Sequence, residues 1–215
     1  MMELNICEQN KIYSQHGQDI FVVSYFGNKR NGVFVDIGAN DGITNSNTYY
    51  LEKELGWRGI CIEPLPLTFE KLNKNRNCIK IMAAISDKQG VEKFTVVESL
   101  MYQLCGITKE YDERHIKSIK DLAEKSNHKI SEIEVPSLLL SDILEKYNIF
   151  NIDYLNIDTE GNEFKILQTI NFNKFHIRLI TIENNYNDEN QRNFVISKNY
   201  EFIGKLGSDD IFSLK

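Results

Sequence analysis

The sequence predicts an α/β fold: a mostly parallel sheet with helices on both faces and an antiparallel C-terminal edge. Three observations carry this expectation. Short apolar, strand-like runs alternate with segments of helical spacing. Several of those runs are continuously apolar until they stop at an acidic residue, as buried parallel strands do. The last two runs lie close together around Gly207, so they read as an antiparallel pair.

The first strand is Val33-Phe-Val-Asp-Ile37, followed at once by a loop bracketed by Gly38 and Gly42, where backbone can approach a ligand without a Cβ in the way. Residues 46–55 read as a helix, with Ser or Asn available as its cap. A second strand, Gly59-Ile-Cys-Ile-Glu63, is halted by Pro64 and Pro66. Residues 67–75 have helical spacing, 79–82 a third strand, and 94–97 a strand outside the alternation. From 98 to 132 the chain is polar and poorly periodic, with a helix near 115–125; an insertion of this length predicts a lid or substrate-binding segment. Regular order resumes with a helix at 139–147, the strand Tyr154-Leu-Asn-Ile-Asp158, a helix from Glu163, the strand Leu179-Ile-Thr-Ile-Glu183 and a helix at 189–197. Strands at 200–205 and 210–214 close the chain. With no repeat or linker, residues 1–215 read as a single domain, with 1–30 as an N-terminal cap.

The 215 residues are 41% hydrophobic and 11% aromatic, enough for a proper core. No apolar run is long enough to span a membrane, and Met-Met-Glu-Leu-Asn lacks the features of a signal peptide. A formal charge of −6 argues against a broad polyanion-binding surface, so no nucleic-acid partner is expected. Cys7, Cys61, Cys78 and Cys105 show no CxxC spacing, which fits a reducing cytoplasm. The acidic, Asn-rich surface shows no apolar stripe that would identify a partner copy.

Asp36, Glu63, Asp158 and Glu183 all fall at strand ends. One such acid is ordinary; four at one edge of a parallel sheet predict a shared cleft. Glu63, at the end of the second strand, can accept both hydroxyl protons of a ribose; a salt bridge to a surface cation is the plainer reading. The spacing Gly38-Ala-Asn-Asp-Gly42 is not the G-x-G-x-x-G of a dinucleotide site. Asp36 and Asp41 beside it would repel a pyrophosphate but suit a cationic amino-acid moiety. That favours S-adenosylmethionine over NAD.

The ordered set Val35-Asp-Ile-Gly-Ala-Asn-Asp-Gly42, Gly59-Ile-Cys-Ile-Glu-Pro64, Ala84-Ile-Ser-Asp87 and Ile157-Asp-Thr-Glu-Gly-Asn-Glu163 resembles the FkbM-type S-adenosylmethionine-dependent methyltransferases. Tyr13-Ser-Gln-His-Gly-Gln-Asp19 and Ser46-Asn-Thr48 suit that family as well, so the likeness spans nearly the whole chain. The resemblance implies the seven-stranded Rossmann-like fold of class I methyltransferases and methyl transfer to a hydroxyl of a sugar, glycan or glycosylated small metabolite. It further implies that Asp36, Gly38 and Asn40 line the methionine end, with Gly42 and Ser46 in the same loop. Glu63, followed by Pro64, would hold the ribose; Ala84, Ile85 and Ser86 would lie near adenine. Gln15, His16, Gln18 and Asp19 would close the pocket, and Asp158 would flank the methyl group.

Methyl transfer from a sulfonium is an in-line displacement, and an alcohol needs a base or a metal to become nucleophilic. Asp158 is the first candidate, as base or ligand; its plainer reading is a cap for the following helix. His16 and Glu160 are the other catalytic candidates, although an acid in a first helical turn also serves the helix dipole. Asp158, Glu183 and Asn184 resemble the oxygen-ligand placement of metal-dependent catechol-type O-methyltransferases and suit Mg²⁺ or another divalent cation. His115, His128 and His176 read as surface or loop residues, and Trp57 as packing. The competing expectations are an NAD-dependent oxidoreductase on a similar sheet and a catalytically silent cofactor-binding module.

Overall fold

The structure, a computed structural model, describes residues 12–97, 104–126 and 128–215. The first eleven residues of the expected N-terminal cap, Cys7 among them, and residues 98–103 of the expected insertion fall outside them. In chain order the elements are α1 (Gln18–Tyr25), β1 (Val33–Ile37), α2 (Tyr49–Lys53), β2 (Arg58–Ile62), α3 (Pro66–Asn75), β3 (Ile79–Ile81), β4 (Ala84–Ile85), β5 (Gly90–Val97) and β6 (Gly106–Ile107). There follow α4 (Glu113–Ser126), β7 (Ile130–Leu138), α5 (Leu140–Lys146), β8 (Asn151–Ile157), α6 (Glu163–Thr169), β9 (His176–Glu183), α7 (Glu189–Ser197), β10 (Tyr200–Leu206) and β11 (Asp209–Leu214). Among the described residues no helix is long and apolar enough to cross a membrane.

The fold is α/β around a mixed seven-stranded sheet ordered β10-β11-β9-β8-β1-β2-β3. The five strands from β9 to β3 pair in parallel. β11 then runs antiparallel to both β9 and β10, as the turn at Gly207 predicts. Alternate residues of the apolar strands feed two separate cores. Val35, Ile60, Leu155 and Ile180 join Leu144, Ile166 and Val195 from α5, α6 and α7. Phe34, Cys61, Tyr154 and Leu179 join Val22, Leu51 and Leu72 from α1, α2 and α3. Both faces of the sheet are thus covered, and that is why these strands carry no polar alternation.

Three local expectations need correction. The helix expected over 46–55 is confined to Tyr49–Lys53, because Ser46 Oγ accepts the amide N–H groups of Thr48 and Tyr49 and makes residues 46–48 a turn. The strand expected at 94–97 is the end of the longer β5. The segment from 98 to 132 is not simply irregular. Its described part holds β6, α4 and the start of β7, and β4, β7, β5 and β6 form a second, four-stranded sheet. β7 alternates between exposed glutamates and the buried face of Val135. Lys93 of β5 bridges Glu132 across the strands at 2.9 Å. Phe94, Val96, Ile107, Ile119 and Val135 make the core of this layer, with Leu65 joining it.

Candidate functional site

Because β1, β2, β8 and β9 run parallel, their carboxyl ends share one edge. Asp36 lies one residue before the end of β1, Glu63 and Asp158 directly follow β2 and β8, and Glu183 ends β9. Asp209, the first residue of β11, is the register partner of Glu183 and joins them. A cavity of about 570 Å³ opens at this edge, between the strand ends, the N-terminal segment and the second sheet. Its described lining includes six carboxylates (Asp36, Glu63, Asp158, Glu160, Glu183 and Asp209) and no lysine or arginine.

Gly38 turns the chain out of β1 at φ +87°, and a Cβ there would meet the carbonyl oxygen of Asp158 at 1.6 Å. The Asp158 N–H in turn donates to the Ile37 carbonyl at 3.0 Å, so the two loops are locked back to back. Asp41 closes the glycine loop, accepting from the N–H groups of Ile43 and Thr44 and from the Thr44 hydroxyl. It does not line the cavity. The charge argument against a pyrophosphate therefore rests on the six carboxylates above, not on Asp41.

Glu63 is buried and ties this loop to the next. Its Oε2 accepts the Asn40 N–H at 2.9 Å, while Oε1 accepts from the Leu65 N–H and the Thr68 hydroxyl at the start of α3. Burial outweighs these bonds and pushes its carboxyl up to about 7. Asp36 is fixed by the Thr48 hydroxyl at 2.5 Å and by the Asn156 amide at 2.9 Å. Asn156 Oδ1 accepts from Asn47 and from Thr181, both at 2.8 Å, which completes a buried polar layer beneath the cavity.

On the opposite wall Asp158, Glu160 and Glu183 converge, each offering a carboxylate oxygen within 4.8 Å of the others. Withdrawal from solvent holds all three carboxyls well above the usual range, reinforced by nearby negative charge, Asp209 for Asp158 and Asp158 for Glu160 and Glu183. Among the described residues no donor reaches the Asp158 carboxylate, so the helix-cap reading of Asp158 does not hold. Glu163 does that tying instead, accepting the N–H groups of Thr159 and Gly161. Glu160 sits at φ +60°, a conformation that costs a non-glycine residue energy. His115 of α4 stands beside it, Nδ1 3.6 Å from Glu160 Oε2, and burial lowers its imidazole pKa.

The expected cofactor residues Gln15, Gln18, Asp36, Gly38, Asn40, Ser46, Glu63, Pro64, Ala84, Ile85 and Asp158 all line the cavity, as do the catalytic candidates His16 and Glu160. Gln18 donates to Asp209 at 2.9 Å, and the His16 ring packs on Gly207, drawing the N-terminal segment over the β10–β11 turn. Three expected residues do not line it. Asp19 is buried behind the segment, accepting from the Ser14 hydroxyl and the Tyr13 N–H. Gly42 leaves room for Leu72 and Arg76, not for a ligand. Ser86 is buried at the β4–β7 junction, its N–H donating to the Leu138 carbonyl. Asn184 does not join the carboxylate cluster either. Its amide donates to Asp210 at 2.7 Å and its oxygen accepts the Asp188 N–H, so Glu160 takes the third place.

Sequence reading passed over Asn47, Asn156 and Asn162, and its expectation that His115 is a surface or loop residue is wrong: His115 is buried and lies on α4. Asn156 had a signal, a polar residue inside the apolar strand Tyr154-Leu-Asn-Ile, which must find partners when buried. His115 had none, because only α4 folding back over the strand ends brings it there. Three buried side-chain atoms lack a hydrogen-bond partner among the described residues: Asn47 Oδ1, Asn162 Oδ1 and His115 Nε2. All three belong to residues lining this one cavity. An unpaired buried polar atom costs about 1–3 kcal/mol, and all three fall on residues of the cavity wall while themselves closed to solvent.

The profile of the methyltransferase FkbM domain matches residues 36–207. No curated protein matches the chain. Among solved structures, a proposed RNA methyltransferase from Pyrococcus horikoshii is similar at 10% identity and a TM-score of 0.43, over 96% of this chain and 90% of that one.

Proposed function

We propose that this chain, which belongs to the FkbM methyltransferase family, transfers the methyl group of S-adenosylmethionine to a hydroxyl oxygen of a sugar, glycan or glycosylated small metabolite. One observation carries the choice of cofactor: the described lining of the cavity holds six carboxylates and no lysine or arginine. Such a wall disfavours the pyrophosphate of NAD and favours a phosphate-free, cationic ligand. We read the seven-stranded sheet as the Rossmann-like class I methyltransferase arrangement, and residues 1–215 as one methyltransferase domain.

The lining fits the cofactor in its chemistry. Glu63 offers carboxylate oxygens to the ribose hydroxyls. Asn162, whose amide donates to the Ile85 carbonyl, fixes the wall beside Ala84 and Ile85. Asn47, Gln15, Gln18 and Asp209 supply polar groups at the end where Asp36 and Gly38 lie. When bound, S-adenosylmethionine supplies an electrophilic methyl carbon on a sulfonium. Asp158 would take the proton of the acceptor hydroxyl that receives this methyl group. Its raised carboxyl pKa makes it a stronger base than an ordinary aspartate.

The test is transfer of labelled methyl from S-adenosylmethionine to a panel of sugars, alditols and glycosides. Label on a hydroxyl oxygen, lowered about 100-fold or more in Asp158→Asn, supports the reading. Cofactor binding without transfer to any hydroxyl supports the silent-module alternative instead.

A further inference from the structure

We infer that Cys61 and Cys78 form an oxidisable thiol pair that reacts with a hydroperoxide and closes to a disulfide. The inference is independent of the methyl-transfer reading and of the cavity. It stands on the geometry of the pair and on the difference in access between its members.

Cys61 lies in β2 and Cys78 in the bend that enters β3, the edge strand of the seven-stranded sheet. Parallel register sets Cys61 beside Lys80, so Cys78, two residues earlier, falls on the same face, and both join the same core. Their sulfurs are 3.5 Å apart. A disulfide needs about 2.0 Å. Side-chain rotation and a small shift of the bend at Cys78 cover the difference, because among the described strands β3 has a neighbour on one side only.

Access orders the chemistry. Cys61 is wholly buried in the core with Phe34, Leu51 and Leu72, whereas Cys78 is only partly covered. An oxidant in solution therefore meets Cys78 first. The buried Arg76 guanidinium acts on both sulfurs with its positive charge, a setting that favours thiolate. Glu52, paired with Arg76 at 2.7 Å, lies within hydrogen-bonding reach of Cys78. The Cys78 sulfur attacks one oxygen of the hydroperoxide: an S–O bond forms, the O–O bond breaks, and the leaving oxygen takes the thiol proton. The Cys61 sulfur then attacks that of Cys78: the S–S bond forms, the S–O bond breaks, and hydroxide leaves as water with the Cys61 proton. The sulfurs lose the electron pair that the peroxide gains. Cys61 thus acts as a resolving thiol, which stops Cys78 short of the irreversible sulfinic acid. Cys105 is the contrast. It belongs to another core, accepts the Val97 N–H, and burial pushes its thiol up to about 12.

The experiment treats the folded, reduced protein with hydrogen peroxide, alkylates the remaining thiols with iodoacetamide under denaturing conditions, and maps the peptides by mass spectrometry. A Cys61–Cys78 disulfide is expected, seen as the loss of two hydrogens and reversed by dithiothreitol, with Cys105 still alkylated. In Cys61→Ala, whose fold circular dichroism checks, Cys78 is expected to gain two oxygens and become the sulfinic acid under the same treatment. The wild-type map decides the matter even where that variant fails to fold. A bridge from Cys78 to any other cysteine, or sulfinic acid at Cys78 of the wild type without a bridge, overturns the inference. Wild-type protein in which Cys61 and Cys78 both remain alkylated overturns it as well.

Discussion

The carbonyl oxygen of Asp158 fills the space that a side chain on Gly38 would need, 1.6 Å from an ideal Cβ. The glycine loop and the β8–α6 loop, which carries Asp158 and Glu160, are therefore one packed unit. Gly38→Ala forces a backbone shift at a residue already in the left-handed region at φ +87°. A loss of about 3 kcal/mol is expected, which at this chain length lowers Tm by roughly 6–12 °C. Thermal denaturation checks it, and S-adenosylhomocysteine affinity is expected to fall with it.

Glu63 sets a pH dependence. Its carboxyl is pushed up to about 7 by burial, so it is largely protonated at pH 6 and largely ionised at pH 8. Only the ionised form accepts two hydroxyl protons. Affinity for S-adenosylhomocysteine is thus expected to rise through pH 7 and level off above it. Glu63→Gln should flatten this profile and weaken binding roughly 10- to 100-fold, the range of a hydrogen bond to a charged group.

The cluster of Asp158, Glu160 and Glu183 makes an opposite prediction for stability. Carboxyls whose pKa is raised on folding bind extra protons in the folded state, so their contribution is intact below the unfolded pKa and is lost as pH rises through the folded one. Metal-free protein is expected to melt at a lower temperature at pH 8 than at pH 6. Glu183→Gln removes one charge while its oxygen still accepts from Asn185, and should raise Tm by about 2–4 °C at pH 8, with little effect at pH 5. A variant equally stabilised at both values argues against charge repulsion as the cause.

Arg76 is fully buried and holds the far end of the glycine loop. It pairs with Glu52 at 2.7 Å and donates to the Gly42 carbonyl and the Thr48 hydroxyl. Arg76→Met leaves Glu52 and those acceptors unpaired, and a loss of about 3–5 kcal/mol is expected in denaturant unfolding. A neutral result would show that the loop is held by other contacts.

Much of the sheet and four of its carboxylates were legible because buried parallel strands write themselves as apolar runs ending in acids. Asp36, Glu63, Asp158 and Glu183 all arrive at one edge for that reason. The second sheet was not legible, since Glu132, Glu134 and Pro136 mask the strand pattern of β7. His115 was hidden for a related reason: its place depends on α4 packing against that sheet. Asp19 and Ser86 sit within the motifs that carry the resemblance yet do not line the cavity. Motif membership alone does not separate a residue that shapes a loop from one that touches a ligand.

The most direct measurement is calorimetric titration of the purified protein with S-adenosylhomocysteine, S-adenosylmethionine and NAD⁺ at pH 8. Saturable one-to-one binding of the two S-adenosyl ligands, weakened by Glu63→Gln, with no heat from NAD⁺, is the expected result. Saturable binding of NAD⁺ without binding of S-adenosylhomocysteine would contradict the account at its centre.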